Sequence, residues 1–213
     1  MIIIAVLAIQ IGAPPPAALG DVVWFVGKSP EDDTTTSLCV MSTSAEADRF
    51  TSLRMLAGPP QAIAANSSTV WIAPPAHGRG GGSVSLLAIR ADWDPRLETW
   101  MTKPATGMDR LPAVDLGGVG RLIASPQGPI IIGEGAGDRM VAALRRGRWQ
   151  RLADLPVAEP VHGAIAAGGD LIVLTGGEGH AVIWRCEIDG GGWEKTPLRL
   201  EGDLHDLLAL ETG

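Results

Sequence analysis

Short runs of apolar and β-branched residues recur along the chain, and turn-forming residues precede each of them. The first runs read DVVWFV, TVWI, PIII and DLIVL, at residues 21–26, 69–72, 129–132 and 170–174. Gly, Asn and Ser lie directly ahead of these runs, and they supply the tight turns that hairpins need. Short apolar runs bounded in this way are typical of β-strands. No longer stretch keeps a helical period, so the pattern predicts an all-β chain.

Each first run is followed by a second run that alternates between apolar and polar positions. The second runs lie at residues 37–41, 83–89, 140–144 and 181–188. Alanine-rich strand candidates at residues 62–65, 120–124 and 163–167 precede the later repeats, and residues 205–210 form a fourth such candidate at the end of the chain. The small side chains of these candidates suit an innermost strand near a crowded axis.

An aromatic residue opens the last strand of each repeat. These residues are Phe50, Trp100, Trp149 and Trp193, separated by 50, 49 and 44 residues. A period of this length is typical of four-stranded β-propeller blades. The pattern therefore predicts four repeats, at about residues 21–60, 61–112, 113–160 and 161–203.

Residues 149–177 carry the clearest family signature, WQRLADLPVAEPVHGAIAAGGDLIVLTGG. This segment resembles a kelch repeat, with a Trp strand, a Leu-Pro turn, a His-led inner strand, a hairpin and an apolar strand ending in Gly-Gly. The match extends to Trp193 and is degenerate elsewhere. The resemblance implies a small β-propeller of about four four-stranded antiparallel blades.

A propeller must cover the edges of its first and last blades. The first repeat, which starts at Asp21, lacks an inner strand of its own in this pattern, whereas residues 204–213 are a spare strand. We expect this C-terminal strand to complete the first blade and close the ring. In the alternative, residues 2–9 form the first inner strand and the chain is part of a larger ring or an open array.

The N-terminal segment, residues 1–20, has two interpretations. An apolar run at residues 2–9 precedes three prolines and the small pair Ala17-Ala18, which resembles a secretory signal, although no Lys or Arg precedes the run. The run is too short to span a bilayer. We expect an extracytoplasmic or secreted protein with no membrane span. The alternative is a buried N-terminal strand in a cytoplasmic protein.

Charge and cysteine content narrow the partners and the chemistry. The net charge is -7, which argues against a nucleic-acid partner because phosphate binding relies on clustered Lys and Arg. Cys39 and Cys186 occupy matching places in the first and fourth repeats, beyond the reach of a disulfide. They are predicted to be buried thiols.

Loops between the second and third strands of the repeats hold the candidate binding residues. They are Glu31, Asp32, Asp33, His77, Arg79, Glu134, Asp138, Glu178 and His180. Converging on one face, they would bind a cation, a basic peptide or a sugar, and the alternative is a solvated polar rim. No metal-ligand spacing, calcium loop or nucleotide fingerprint is present, so no metal and no cofactor are expected.

The basic cluster at residues 145–148, with Arg151 beyond it, has two interpretations. It binds an acidic partner, or it is a charged hairpin tip that blocks edge-to-edge aggregation.

No catalytic motif is present, and spacing nominates no pair of opposed carboxylates of the kind a glycosidase needs. The sequence therefore predicts a non-catalytic, kelch-like protein-interaction or assembly module with a protein partner. The alternative is an extracytoplasmic carbohydrate-binding or glycoside-hydrolysing propeller.

Overall fold

The computed structural model describes residues 17–19, 22–28, 36–42, 50–56, 60–66, 69–74, 82–94, 96, 99–103, 110–134, 138–177 and 180–199. Within these residues there are eighteen strands and no helix. The strands are β1 (Ala17–Leu19), β2 (Val22–Lys28), β3 (Thr36–Ser42), β4 (Phe50–Leu56), β5 (Ala62–Ala65), β6 (Thr69–Ala73), β7 (Ser83–Val84), β8 (Leu87–Asp94), β9 (Thr99–Lys103), β10 (Val114–Asp115), β11 (Arg121–Ser125), β12 (Gly128–Ile132), β13 (Val141–Arg145), β14 (Arg148–Arg151), β15 (Val161–Ala167), β16 (Asp170–Gly177), β17 (His180–Glu187) and β18 (Glu194–Arg199).

The strands form four four-stranded antiparallel sheets, each following chain order. The sheets are β1-β2-β3-β4, β5-β6-β8-β9, β11-β12-β13-β14 and β15-β16-β17-β18, and β7 and β10 make a separate two-stranded sheet. This arrangement confirms the predicted fold class, because a four-stranded meander is the unit of a propeller blade.

The closing aromatics also lie where the repeat predicts. Phe50 begins β4, Trp100 lies in β9 and Trp149 lies in β14, whereas Trp193 directly precedes β18.

The chain divides into two compact units. Unit 1 comprises Met1–Gly78 and Ser85–Leu111, and unit 2 comprises Arg79–Val84 and Pro112–Gly213. Unit 1 holds the first two four-stranded sheets, and unit 2 holds the other two together with β7 and β10. In unit 1, Val70 and Ile72 on β6 are fully buried, as expected for the apolar run TVWI.

The first repeat does have an inner strand, so the expectation that it lacks one was wrong. β1 pairs with β2 through Ala17↔Trp24, Ala18↔Val23 and Leu19↔Val22. Three residues suffice for this pairing. They directly follow a proline run, so the hydrophobic pattern gives no separate strand signal for them. Residues 1–16, and the predicted closing strand at 204–213, lie outside the described residues.

The alternation at residues 83–89 predicts one strand, but the structure divides these residues between β7 and β8. Ser83–Val84 pairs with Val114–Asp115, whereas β8 begins at Leu87 and pairs with β6. Between them, the Ser85 hydroxyl donates to the carbonyl oxygen of Leu111 at 3.0 Å, and the Leu111 N–H donates to the Leu86 carbonyl. These bonds take residues 85–86 out of the strand pattern.

The two large sheets of unit 2 share one core. Ile130, Ile132 and Val141 of the third sheet cluster with Leu171 and Val173 of the fourth sheet. These five side chains are fully or almost fully buried. The alternation along β12 and β16 therefore puts one apolar face of each sheet against the other.

The ends of these two sheets are distinct. At one end, the rim end, lie the β12–β13 and β16–β17 connections and the starts of β11 and β15. At the other, the hairpin end, lie the β13–β14 turn and the β17–β18 turn. Arg121 at the start of β11 binds the carbonyl oxygens of Val161 and His162 at the start of β15, so both inner strands begin at the rim end.

Each tryptophan that closes a sheet of unit 2 also binds the linker ahead of that sheet. Trp149 Nε1 donates to the Pro112 carbonyl at 2.7 Å, and Trp193 Nε1 donates to the Ala153 carbonyl at 2.9 Å. The same bond in both repeats explains why tryptophan, with its indole N–H, recurs here.

Candidate functional site

Three of the predicted binding residues lie within the described residues. Glu134 and Asp138 flank the β12–β13 connection, and His180 begins β17. All three are exposed. The other predicted residues lie outside the described residues: Glu31, Asp32, Asp33, His77, Arg79 and Glu178.

The topology places Glu134, Asp138 and His180 at the rim end of neighbouring sheets in unit 2. Their connections join second and third strands, as the sequence predicts, and antiparallel meanders put these connections at the same end of each sheet. The structure thus brings two carboxylates and one imidazole to one end of unit 2. That they bind a ligand stays a prediction.

The segment around Asp138 is fastened to the linker that follows β14. Arg139 forms an isolated bridge with Leu155, with N–H···O distances of 2.9 and 2.8 Å. The Arg139 guanidinium also donates to the Glu159 carbonyl at 3.0 Å. Asp138 is therefore presented from a backbone that is tied down on its C-terminal side.

Glu134 packs closely over a glycine turn. Gly118 has φ +139°, and a Cβ at this position would lie 2.8 Å from Oε2 of Glu134. A φ in this range favours glycine, and the missing side chain leaves the space that the exposed Glu134 carboxylate occupies.

His162 has a structural role at the start of the fourth sheet. Its Nε2 lies 3.2 Å from the Gly176 carbonyl oxygen, and its own carbonyl accepts from Arg121.

Exposed polar side chains mark the rim end. Among the described residues, no group of three or more His, Cys, Asp or Glu side chains is placed to hold a metal ion. Exposed carboxylates and an exposed imidazole offer charge and hydrogen bonds to a surface that docks on them.

The cysteines are buried thiols, as predicted. Burial raises the pKa of the Cys186 thiol, and the neighbouring Asp170 and Glu187 carboxylates raise it further. A thiol held in the protonated form is a poor nucleophile. Cys186 is therefore part of the packing of β17.

The predicted basic cluster separates into side chains with different roles. Arg145 is largely buried and bonds to the β17–β18 turn, whereas Arg146 and Arg148 are exposed at the hairpin. Arg146 has φ 49° and Gly147 φ 76°, as in a tight hairpin turn. Arg151 pairs with Asp154 at 2.6 Å, and this hydrogen bond raises the pKa of its guanidinium.

Sequence reasoning missed that arginines join the two sheets of unit 2. Arg121, Arg139 and Arg145 each donate to backbone carbonyls of the fourth sheet or of the linker and turn next to it. The acceptors lie 20 to 43 residues away in sequence. Only their positions at strand ends, where a long side chain reaches the next sheet, would have signalled this role.

Comparison with known proteins supports the fold and not a family. No family model matches the chain, and no curated protein matches it. The solved structure of YjhT matches with a TM-score of 0.54 over 89% of this chain, at 11% sequence identity. The chain has a propeller-like fold.

The similarity extends no further than the fold. The chain spans 66% of the length of the YjhT chain. The kelch resemblance has no matching family model behind it. Within the described residues, no helix is long and apolar enough to cross a bilayer.

Proposed function

We propose that this protein is a non-catalytic, kelch-like binding module that presents the rim end of its sheets to a basic segment of a protein partner. The observation that carries the proposal is the placement of Glu134, Asp138 and His180 at one end of two neighbouring sheets. The strands between these connections are occupied with packing, since Ile130, Ile132 and Leu171 are buried. Variable loops on such a scaffold are where binding residues concentrate.

Charge supports a basic partner. The chain carries 24 Asp and Glu residues against 17 Lys and Arg residues. Complementary charge speeds association and favours the correct partner, and its effect weakens as salt rises. Each exposed pair contributes about 0.2–1 kcal/mol. The proposal therefore predicts modest affinity per site with clear salt dependence.

A peptide array tests this proposal. Immobilised twelve-residue peptides of basic, neutral and acidic composition are probed with the labelled protein at low and at physiological salt. We expect retention on basic peptides alone, reduced at the higher salt. Neutralising two rim carboxylates in E134Q/D138N should weaken binding by about two- to thirtyfold, from two exposed pairs.

The matched control removes the same number of charges from the hairpin end. E187Q/E194Q replaces two exposed carboxylates of β17 and β18 and leaves the rim unchanged. Equal binding by both double variants would overturn the proposal. Retention on a glycan array, with no preference for basic peptides, would instead support the carbohydrate-binding alternative.

We also propose that the protein is extracytoplasmic. The support is the apolar run at residues 2–9 followed by prolines and small residues. Because Ala17–Leu19 pairs with β2, cleavage after Ala18 would remove most of β1. The proposal therefore requires processing ahead of Ala17.

Intact mass of the chain, expressed with its native N-terminus in a secreting bacterium, tests this location. We expect an exported product that starts at or before Ala17. A full-length product confined to the cytoplasm would contradict the proposal.

A further inference from the structure

A cleft of about 470 Å³ in unit 2 lies between the end of β14 with the linker after it and the β17–β18 turn. One wall is formed by Arg145 and by residues 150–153 of β14 and the linker after it. The other wall is formed by residues 187–191 of the β17–β18 turn. The proposed function does not use this cleft.

Arg145 dominates the cleft chemically. Its side chain is 16% exposed, and its Nη2 donates to the Ile188 carbonyl at 2.6 Å. Its Nη1 pairs with Oδ1 of Asp189 at 2.8 Å. Among the described residues, no acceptor lies within hydrogen-bonding distance of its buried Nε. This Nε has no solvent-accessible surface, so a ligand in the cleft would meet the Nη1 edge that pairs with Asp189, an arrangement suited to a carboxylate.

The carboxylate that pairs with Arg145 is exposed and is carried on a glycine turn. Asp189 has 78% of its side chain exposed, and three glycines follow it. Gly190, with φ +127°, has open space around its Cα. Because the side chain is already mostly exposed, breaking the pair would return its carboxylate to water at little cost, although the turn itself is held by the bond from the Gly190 N–H to the Glu187 carbonyl.

Arg151 also lines the cleft but belongs to the other face of the third sheet. It pairs with Ala142 in the register of β13 and β14, whereas Arg145 pairs with Arg148, so the two arginine side chains leave opposite faces. Arg151 is 62% exposed, and its guanidinium pairs with Asp154 at 2.6 Å. Arg145 is therefore the guanidinium that a ligand carboxylate in the cleft would meet.

We propose that this cleft binds a small organic carboxylate that replaces Asp189 on the guanidinium of Arg145. Asp189 then competes with the ligand, because it pairs with Arg145 whenever no ligand is bound. Arg–carboxylate pairing is favoured by the planar fork of the guanidinium, which donates to two carboxylate oxygens side by side.

The competitor sets a measurable effect. An exposed ion pair favours the paired arrangement over the separated one by about 1.4- to 5-fold. A ligand must displace Asp189 from Arg145, so removing the charge of Asp189 raises the apparent affinity for the ligand by about two- to sixfold. The variant D189N, which keeps the shape of the side chain and removes its charge, should therefore bind more tightly than the unchanged protein.

Glutarate is the probe, titrated into the full-length protein at about 0.15 M ionic strength, where long-range charge effects are screened. The readout is the Nε–Hε resonance of Arg145 in a ¹⁵N correlation spectrum, assigned by its loss in R145Q. We expect saturable shifts in the unchanged protein and tightening in D189N.

The control E194Q removes an equal charge from an exposed residue beyond the cleft lining and should bind as the unchanged protein does. Tightening of E194Q equal to that of D189N would reduce the effect to net charge and overturn the proposal. Unchanged affinity in D189N, or no shift with glutarate in either protein, would also overturn it. If R145Q fails to fold, the comparison of D189N and E194Q with the unchanged protein still decides.

Discussion

Replacing Leu155 by alanine tests whether the two sheets of unit 2 depend on one shared core. Leu155 lies in the linker between these sheets and is 0% exposed. It packs in the cluster that contains Ile132, Val141 and Leu171. Its backbone also bridges to Arg139 of the third sheet. The side chain therefore fills the junction between the sheets.

The expected loss follows from burial. Removing three buried carbons at about 0.8 kcal/mol each costs about 2.4 kcal/mol of transfer free energy. The space left behind adds about 1–2 kcal/mol, because the surrounding side chains relax only in part. We expect L155A to lower the free energy of unfolding by about 3–4.5 kcal/mol, a large share of the about 5–15 kcal/mol of a typical domain.

Urea unfolding, followed by near-UV circular dichroism and by tryptophan fluorescence, measures this loss. Leu152, three residues earlier in the same linker, is only partly buried and packs at the margin of the same cluster. The same substitution there, L152A, should cost about half as much or less. If L155A costs under about 1 kcal/mol, or no more than L152A, Leu155 does not hold the junction as described.

Three further predictions concern unit 2. W193F removes the bond from the indole to the Ala153 carbonyl and should cost about 0.5–1.5 kcal/mol by urea unfolding, whereas an unchanged midpoint would show that the bond contributes nothing. The fold raises the pKa of the Cys186 thiol, so the part of the free energy of unfolding that depends on this thiol is fully present below the ordinary thiol pKa and falls as pH rises above it. C186S should flatten this decline, and a pH profile identical to that of the unchanged protein would refute the cause. G128A puts a Cβ 2.7 Å from a backbone carbonyl at φ +141°, whereas G168A has open space around it at φ +60°. G128A should therefore lower the midpoint of thermal unfolding by more than G168A does, and equal losses would contradict the close approach.

The sheets could be predicted from the sequence because their signals are local. The runs TVWI and PIII became β6 and β12 since each lies between turn residues and is apolar throughout. β1 could not be predicted, because Ala17–Leu19 continues a segment of prolines and small residues that also resembles a signal exit. Alternation also failed to divide β7 from β8, because the division depends on hydrogen bonds to Leu111, more than twenty residues away.

The sequence could predict where the candidate binding residues lie, but not which side chains pair with one another. Repeat register assigned Glu134, Asp138 and His180 to equivalent connections, and the topology puts those connections at one end of unit 2. The pairing of Arg145 with Asp189 joins residues of different sheets. No local pattern specifies such a contact, so the cleft could be found only in three dimensions.

In unit 2, the bonds from Trp149 and Trp193 to the linkers ahead of their own sheets have a consequence for how such a chain grows. Donor and acceptor lie within one continuous stretch of sequence, Ala153 to Trp193 in the fourth sheet and Pro112 to Trp149 in the third. A gene segment that encodes a linker and its sheet therefore carries both partners of the bond. Duplicating or deleting such a segment changes the number of sheets while every remaining tryptophan keeps its acceptor, as in a modular array whose units interact with their neighbours.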